Sequence, residues 1–328
     1  MNDRRKIVIA LCAGAGALAL PLRAFAQQQG KLWRIGLLGM TSIEGFPRQV
    51  EALRAGLREL GYVEGKNLVI EFRWAEGKYD RLPALAAELV GLNVDLIVTH
   101  TTATLVAKQA SATIPIVMAT DTDPVGSGLV ASLARPGGNV TGSAYFYPEL
   151  NAKRLELLKE LYPRIRRVAV LLNSGSARYA PVLQAMEVAA ASLKIELQQF
   201  GVRSPDEFEN AFAAMSKRRV EAVAILEEPM VYSNVDALSR LAMKNRIPAT
   251  GFVEVAETGG LIGYGVNFPV LWHRAAYFVD RILKGTKPAD LPVEQPTNFE
   301  MVINMKTARA LGVRIPLSLR VRADRVIE

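Results

Sequence analysis

Hydroxyl side chains gather where two apolar runs give way to helical ones. Thr41 and Ser42 follow Trp33–Gly39, and Thr101 and Thr102 follow Val94–Val98. A hydroxyl at the start of a helix can bind a carboxylate beside free backbone N–H groups, at the positive end of the helix dipole. The same residues serve equally as plain N-caps. Three acids hold equivalent places: Asp121 after Ile114–Ala119, and Glu227 and Glu228 after Val220–Leu226. They can pair with a ligand ammonium, bond its hydroxyls, or remain surface acids and caps. The loop from Asn173 through Ser174 and Gly175 adds an amide. Tyr147, Tyr179, Phe252 and Tyr264 can stack on a flat ligand or pack as core. The candidate ligand-binding set is Thr41, Ser42, Thr101, Thr102, Asp121, Asn173, Tyr179, Glu227 and Phe252.

Catalysis has little material. Of the two histidines, His100 sits in a candidate ligand loop but has no second histidine or cysteine to complete a metal site. His273 sits mid-helix beside Trp272. No G-x-S-x-G, P-loop or H-E-x-x-H pattern occurs. We therefore expect no catalytic residue, no metal and no cofactor, and read the chain as a binder rather than an enzyme. Gly126-Ser-Gly128-Leu-Val-Ala131 matches the G-x-G-x-x-A dinucleotide pattern, but Asp121–Pro124 separates it from the preceding strand. It reads as a glycine-eased turn into a helix.

These residues need elements to hold them. Trp33–Gly39 is a compact apolar strand. Phe46, Val50, Leu53, Leu57 and Leu60 recur at three- and four-residue steps, the face of a helix closed by Gly61. Leu68–Trp74 alternates with period two. Leu82–Leu92 and Thr102–Ala110 read as helices, with Val94–Val98 and Ile114–Ala119 as strands. The turn-rich stretch Leu133–Gly142 breaks the series. A second series opens at Arg167–Leu172 and runs through a helix at Tyr179–Leu193, a strand at Ile195–Phe200, a helix started by Ser204-Pro205-Asp206-Glu207, a strand at Val220–Leu226, a helix at Val235–Lys244 and a strand at Ile247–Gly251. Such alternation implies right-handed crossovers and mainly parallel sheets covered on both faces, an α/β fold in two lobes. In such sheets ligands sit at the carboxyl ends of strands, where every candidate above lies. Phe268–Leu283 reads as a helix stopped by Gly285–Pro288. The remainder after Leu261 is too short for a third domain. The lobes are expected at 31–143 plus about 268–290, and at 144–267 plus about 291–328. The crossovers are expected at Thr141–Pro148, Tyr264–Pro269 and Pro288–Pro296.

The first 26 residues read as an export signal. Arg4, Arg5 and Lys6 precede the apolar run Ile7–Leu22, and Ala24-Phe25-Ala26 supplies the small residues of a cleavage site after Ala26. Cys12, the single cysteine of the 328 residues, lies inside this run. The remaining chain then has no thiol for a disulfide, a nucleophile or a metal site. It carries 36 basic and 31 acidic residues, a charge of +5. The C-terminal arginines Arg314, Arg320, Arg322 and Arg325 are interleaved with apolar residues and read as a solvated face. Nucleic acid is not an expected partner.

Several segments resemble the ABC transporter substrate-binding proteins related to tryptophan-binding-type solute receptors. These are Asp123–Gly142, Lys153–Lys159, Gly259–Gly265, Ile282–Pro296 and Ile303–Ala308. The resemblance covers nearly all of the chain after the export signal. It implies the type I periplasmic-binding-protein fold, two Rossmann-like lobes with parallel sheets joined by crossover hinges. It further implies a periplasmic solute receptor, expected to be a monomer. The partners would be one small polar molecule, amino-acid-like or aromatic, and an ABC permease in the inner membrane. The rival reading is a periplasmic sensor module that reports its ligand to a membrane receptor. The matched motifs are mainly turns and packing, so the resemblance assigns no ligand contacts.

Overall fold

Apolar side chains alternate along the first strands and divide between two faces. In a computed structural model, which describes residues 31–145, 147–175 and 179–328, Ile35 and Leu37 enter one core cluster while Leu38 and Met40 enter another. Leu96 and Val98 oppose Ile97 in the same way, and Val117 and Ala119 oppose Ile116 and Met118. A sheet apolar on both faces must be covered on both, and helices do so here.

The strands are β1 (Trp33–Gly39), β2 (Leu68–Trp74), β3 (Leu96–His100), β4 (Ile116–Asp121) and β5 (Val140–Ala144). They form a five-stranded sheet of order β2-β1-β3-β4-β5, parallel throughout. Helices α1 (Pro47–Glu59), α2 (Leu82–Gly91) and α3 (Thr102–Ala110) connect them. The chain then leaves through α4 (Tyr147–Leu161) for the second sheet. This sheet contains β6 (Arg167–Asn173), β7 (Glu196–Val202), β8 (Ala222–Ile225), β9 (Ala249–Gly251) and β10 (Ile262–Gly265). Between them lie α5 (Ala180–Leu193), α6 (Phe208–Lys217), α7 (Pro229–Ser233), α8 (Val235–Lys244) and α9 (Val253–Glu257).

After β10 the chain returns to the first sheet as α10 (Phe268–Leu283), then crosses again to end as β11 (Glu300–Asn304), α11 (Met305–Leu311), α12 (Leu317–Arg322) and β12 (Arg325–Ile327). The second sheet has the order β12-β11-β10-β9-β8-β6-β7, and β11 runs antiparallel to β10. This is the two-lobed α/β architecture expected from the alternation. Leu291 and Val293, assigned to the second lobe by sequence, are instead buried in the two cores of the first. The chain therefore stays with the first lobe slightly longer. The backbone N–H of Glu294 even donates to Gly142.

Helix α10 docks on α1 because its buried residues, among them Trp272, Ala276 and Val279, recur at helical spacing. Gly56 lets the two helices meet closely: a Cβ there would stand 2.7 Å from the His273 carbonyl oxygen. Gly142 does the same inside the first sheet. It holds φ +136°, and a Cβ would fall 2.0 Å from the Met118 carbonyl oxygen.

Residues 140–142, the end of the stretch read as a turn-rich break, open the fully buried edge strand β5 of sequence Val-Thr-Gly-Ser-Ala. Its Thr, Gly and Ser content hides the pattern, and pairing with β4 supplies what side chains do not. The segment 123–128 turns as expected, with Asp123 Oδ1 accepting from the Gly126 N–H at 2.7 Å. No helix follows it, however. Leu129 and Val130 are drawn into the core instead, and Lys108 Nζ donates to the carbonyls of Gly128 and Leu129. The export signal at residues 1–26 lies outside the described residues.

Candidate ligand-binding site

The carboxyl ends of β3 and β4 depart from regular pairing. The register shifts between Thr99 and His100, and again between Met118 and Asp121. Such bulges re-aim side chains at strand ends, and here they turn His100, Thr101 and Thr120 toward the second lobe. Opposite them stand the ends of β6 and β8, with Gly175, Glu227 and Glu228. Between the two sets lies a cavity of about 340 Å³, within the range of small-molecule sites.

Eight aromatic residues among those described line it. Phe46, Tyr79 and Trp272 come from the first lobe, Tyr179 and Tyr232 from the second, and Tyr145, Tyr147 and Phe268 from the crossing segments. Phe46 is the hub. Its ring stacks on Tyr232 at 5.2 Å and lies 5.0 Å from His100 and 6.2 Å from Trp272. Tyr232 in turn stacks on Phe252, also at 5.2 Å.

The Phe46–Tyr232 stack crosses from one lobe to the other. So do the Tyr79 hydroxyl, which donates to Glu228 Oε1 at 2.5 Å, the Gln49 amide, which donates to the Tyr232 hydroxyl, and the Arg48–Glu257 ion pair at 2.7 Å. The lobes are closed on each other.

Thr101, before the first residue of α3, holds φ 49° and ψ −130°, a conformation unfavourable for a β-branched residue. Its side chain makes no capping bond. The Thr104 N–H donates to the Thr101 carbonyl and the Thr101 hydroxyl to Met40 Sδ, which leaves the N–H groups of Thr102 and Ala103 uncapped, with the Thr102 side chain on the cavity wall. His100 is 2 % exposed, and its Nε2 has no hydrogen-bond partner. Burial lowers its pKa to about 4, so the ring is neutral at physiological pH.

Of the two alternatives open for the acids after β8, ligand pairing and capping, Glu228 takes the second and Glu227 neither. Glu227 is buried against Arg154, whose Nη1 donates to Glu227 Oε2 at 2.6 Å and whose Nη2 donates to Oε1. Arg154 also donates to Asn151 Oδ1 and the Tyr264 carbonyl. Glu228 caps α7 by accepting from the N–H groups of Met230 and Val231. Burial pushes its carboxyl above the usual range.

Of the expected set, Thr101, Thr102, Tyr179 and Glu227 line the cavity. The other five do not. Ser42 Oγ accepts from the Gly45 N–H, and Thr41 lies buried in the same turn. That loop brings Phe46 to the cavity rather than its hydroxyls. Asp121 is wholly buried and accepts from the N–H groups of Thr122 and Asp123, fixing the loop after β4. Asn173 accepts from the Gly175 N–H and shapes the loop rather than its surface. Phe252 is fully buried behind Tyr232.

Phe46 and Tyr232 were missed although both follow strand ends closely, a signal that was present. Trp272 and Phe268 carried no such signal. They reach the cavity only because α10 returns to the first lobe.

Behind Tyr232, its hydroxyl donates to Glu254 Oε1 at 2.7 Å. Burial raises the Glu254 carboxyl from 4.5 to about 7, with Glu257 adding to the effect while the Tyr232 bond and Arg48 oppose it. Between those two values the folded protein keeps a proton that the unfolded chain releases. Stability from this group is therefore complete below about 4.5 and declines as pH rises through about 7. Melting curves from pH 4.5 to 8 should show this decline, and Glu254→Gln should flatten it. An unchanged slope in the variant would place the titration elsewhere.

The fold is that of the type I periplasmic binding proteins, with the cavity where their lobes close. The chain belongs to the ABC transporter substrate binding protein family, whose profile matches residues 34–327. A tyrosine-binding protein of Clostridioides difficile is 27% identical over 282 residues, 85% of this chain and 81% of that one. A domain from Streptococcus pneumonia solved in complex with L-Trp is 28% identical, covers 90% of this chain and 99% of its own, and superposes with a TM-score of 0.82. A conserved domain protein from Vibrio cholerae is likewise 28% identical, with coverage of 90% and 100% and a TM-score of 0.84. Family members bind substrates outside the cytoplasmic membrane without converting them, so this chain is a binding protein and not an enzyme. Among the described residues no helix is long and apolar enough to cross a membrane.

Proposed function

We propose that the protein is the solute-binding component of an ABC importer. It is exported, cleaved after Ala26, and works in the periplasm as a monomer that delivers its ligand to a permease in the inner membrane. The ligand is a small molecule with a flat apolar body and an anionic head. One observation carries this reading: an aromatic cavity closed between the lobes, with the uncapped start of α3 on its wall. The rings bury the body, and the uncapped N–H groups and the Thr102 hydroxyl at the start of α3 hold the head. This narrows the polar solute expected from sequence to one whose polarity is confined to one end. The tyrosine and L-Trp named for two relatives share the aromatic ring and the carboxylate of this outline.

The test is a thermal-shift and calorimetric screen of aromatic acids, aromatic amino acids, sugars and nucleosides. Aromatic compounds with a carboxylate should bind. At a hundred times Kd they should stabilise the fold by about 2.7 kcal/mol. Binding of sugars or nucleosides alone would overturn the assignment.

A further inference from the structure

Ligands with a flat ring and a carboxylate divide into those with an α-ammonium group and those without. A buried ammonium needs an acidic or carbonyl partner, because an unpaired charge in a closed site is strongly disfavoured. The acids beside this cavity are already engaged. Glu227 meets the Arg154 guanidinium with both carboxylate oxygens, in a buried pair with no net charge. Glu228 accepts from the Tyr79 hydroxyl on one oxygen and from two backbone N–H groups on the other, and the Asn173 side chain approaches the same carboxylate. Asp121 is wholly buried outside the cavity lining, and its Oδ1 accepts from two backbone N–H groups of its own loop.

Among the described residues, the other polar side chains that line the cavity are neutral. The Tyr179 hydroxyl and His100 Nε2 are both buried and have no partner among the described residues. His100 adjoins the α3 N-terminus, so its imidazole can add a donor to the N–H groups and hydroxyl that meet a carboxylate. Tyr179 faces the cavity from the other lobe, where it can bond a neutral hydroxyl or carbonyl.

We propose that the cavity selects an aromatic carboxylate that lacks an ammonium group, and discriminates against the corresponding α-amino acid. This rests on the reading of an aromatic, anionic ligand given above. Entry of an ammonium would require breaking the Arg154–Glu227 pair or the donor shell of Glu228.

Matched pairs differing only in the amino group test it. Isothermal titration of the purified protein with 3-(indol-3-yl)propionate against L-tryptophan, and with 3-(4-hydroxyphenyl)propionate against L-tyrosine, should give at least one pair in which the deaminated acid binds ten times more tightly. If the amino acid of each binding pair is equal or tighter, the proposal fails while the aromatic-carboxylate site stands. If no member of either pair binds, nor benzoate nor cinnamate, both fail together. Competition between the two members of a pair, followed through protein fluorescence, confirms that they share this cavity.

Discussion

Arg154→Met should lower the stability of the protein by about 3–5 kcal/mol, the usual consequence of leaving one member of a buried ion pair alone. Arg154 is wholly buried, and the Glu227 side chain is 5% exposed. The guanidinium also bonds Asn151 and the Tyr264 carbonyl, tying α4 to the ends of β8 and β10. Its loss strands the Glu227 carboxylate in a low-dielectric setting and frees a backbone acceptor at the start of the return crossing. Thermal melts should show a fall of roughly 6–20 °C for a chain of this size. The double variant Arg154→Met with Glu227→Leu should recover most of it, since two apolar residues leave no buried charge. A single variant melting within 2 °C of the wild type would mean that water or another cation satisfies Glu227.

Trp272→Ala should cost about 3–5 kcal/mol as well, with a simultaneous loss of ligand affinity. Trp272 is 1% exposed and sits in the first lobe's core, while its ring stands 5.5 Å from His100 and 6.2 Å from Phe46. Truncation opens a void in the core that neighbours fill only partly. The same void lets Phe46 and His100 relax away from the cavity, and through Phe46 it loosens the stack on Tyr232 that joins the lobes. Binding should weaken at least tenfold, and Trp272→Phe should retain most of both properties. Denaturant titration and calorimetry separate the two effects. A destabilised variant that still bound normally would show that the ring supports the fold without shaping the site.

Much of the architecture was legible in the chain. Alternation along Leu68–Trp74 and helical spacing along Phe268–Leu283 each match the observed element, because burial on one or two faces writes a period into the sequence. β5 was not legible. Thr141, Gly142 and Ser143 are held by partners on both sides, β4 and the Glu294 backbone, and carry no apolar period of their own. The site divided along similar lines. Searching strand ends found Thr101, Thr102, Tyr179 and Glu227, since topology alone places those positions at the crevice. It also put forward Asp121 and Phe252, which satisfy themselves within their own loop and core.

By itself the sequence determined what each segment buries, and hence two covered sheets with polar strand ends. Apolar period and turn chemistry are local, and a chain reports them directly. Only the tertiary structure decided which of those ends face an open space. Arg154 lies on a helix far from any strand end, yet it neutralises the acid that looked ready for a ligand. Trp272 and Phe268 sit on a helix that the sequence already assigns to the first lobe, but only the fold brings their rings beside Phe46 and Tyr232. Pairing of charges and convergence of rings depend on distances through space, which no spacing along the chain records.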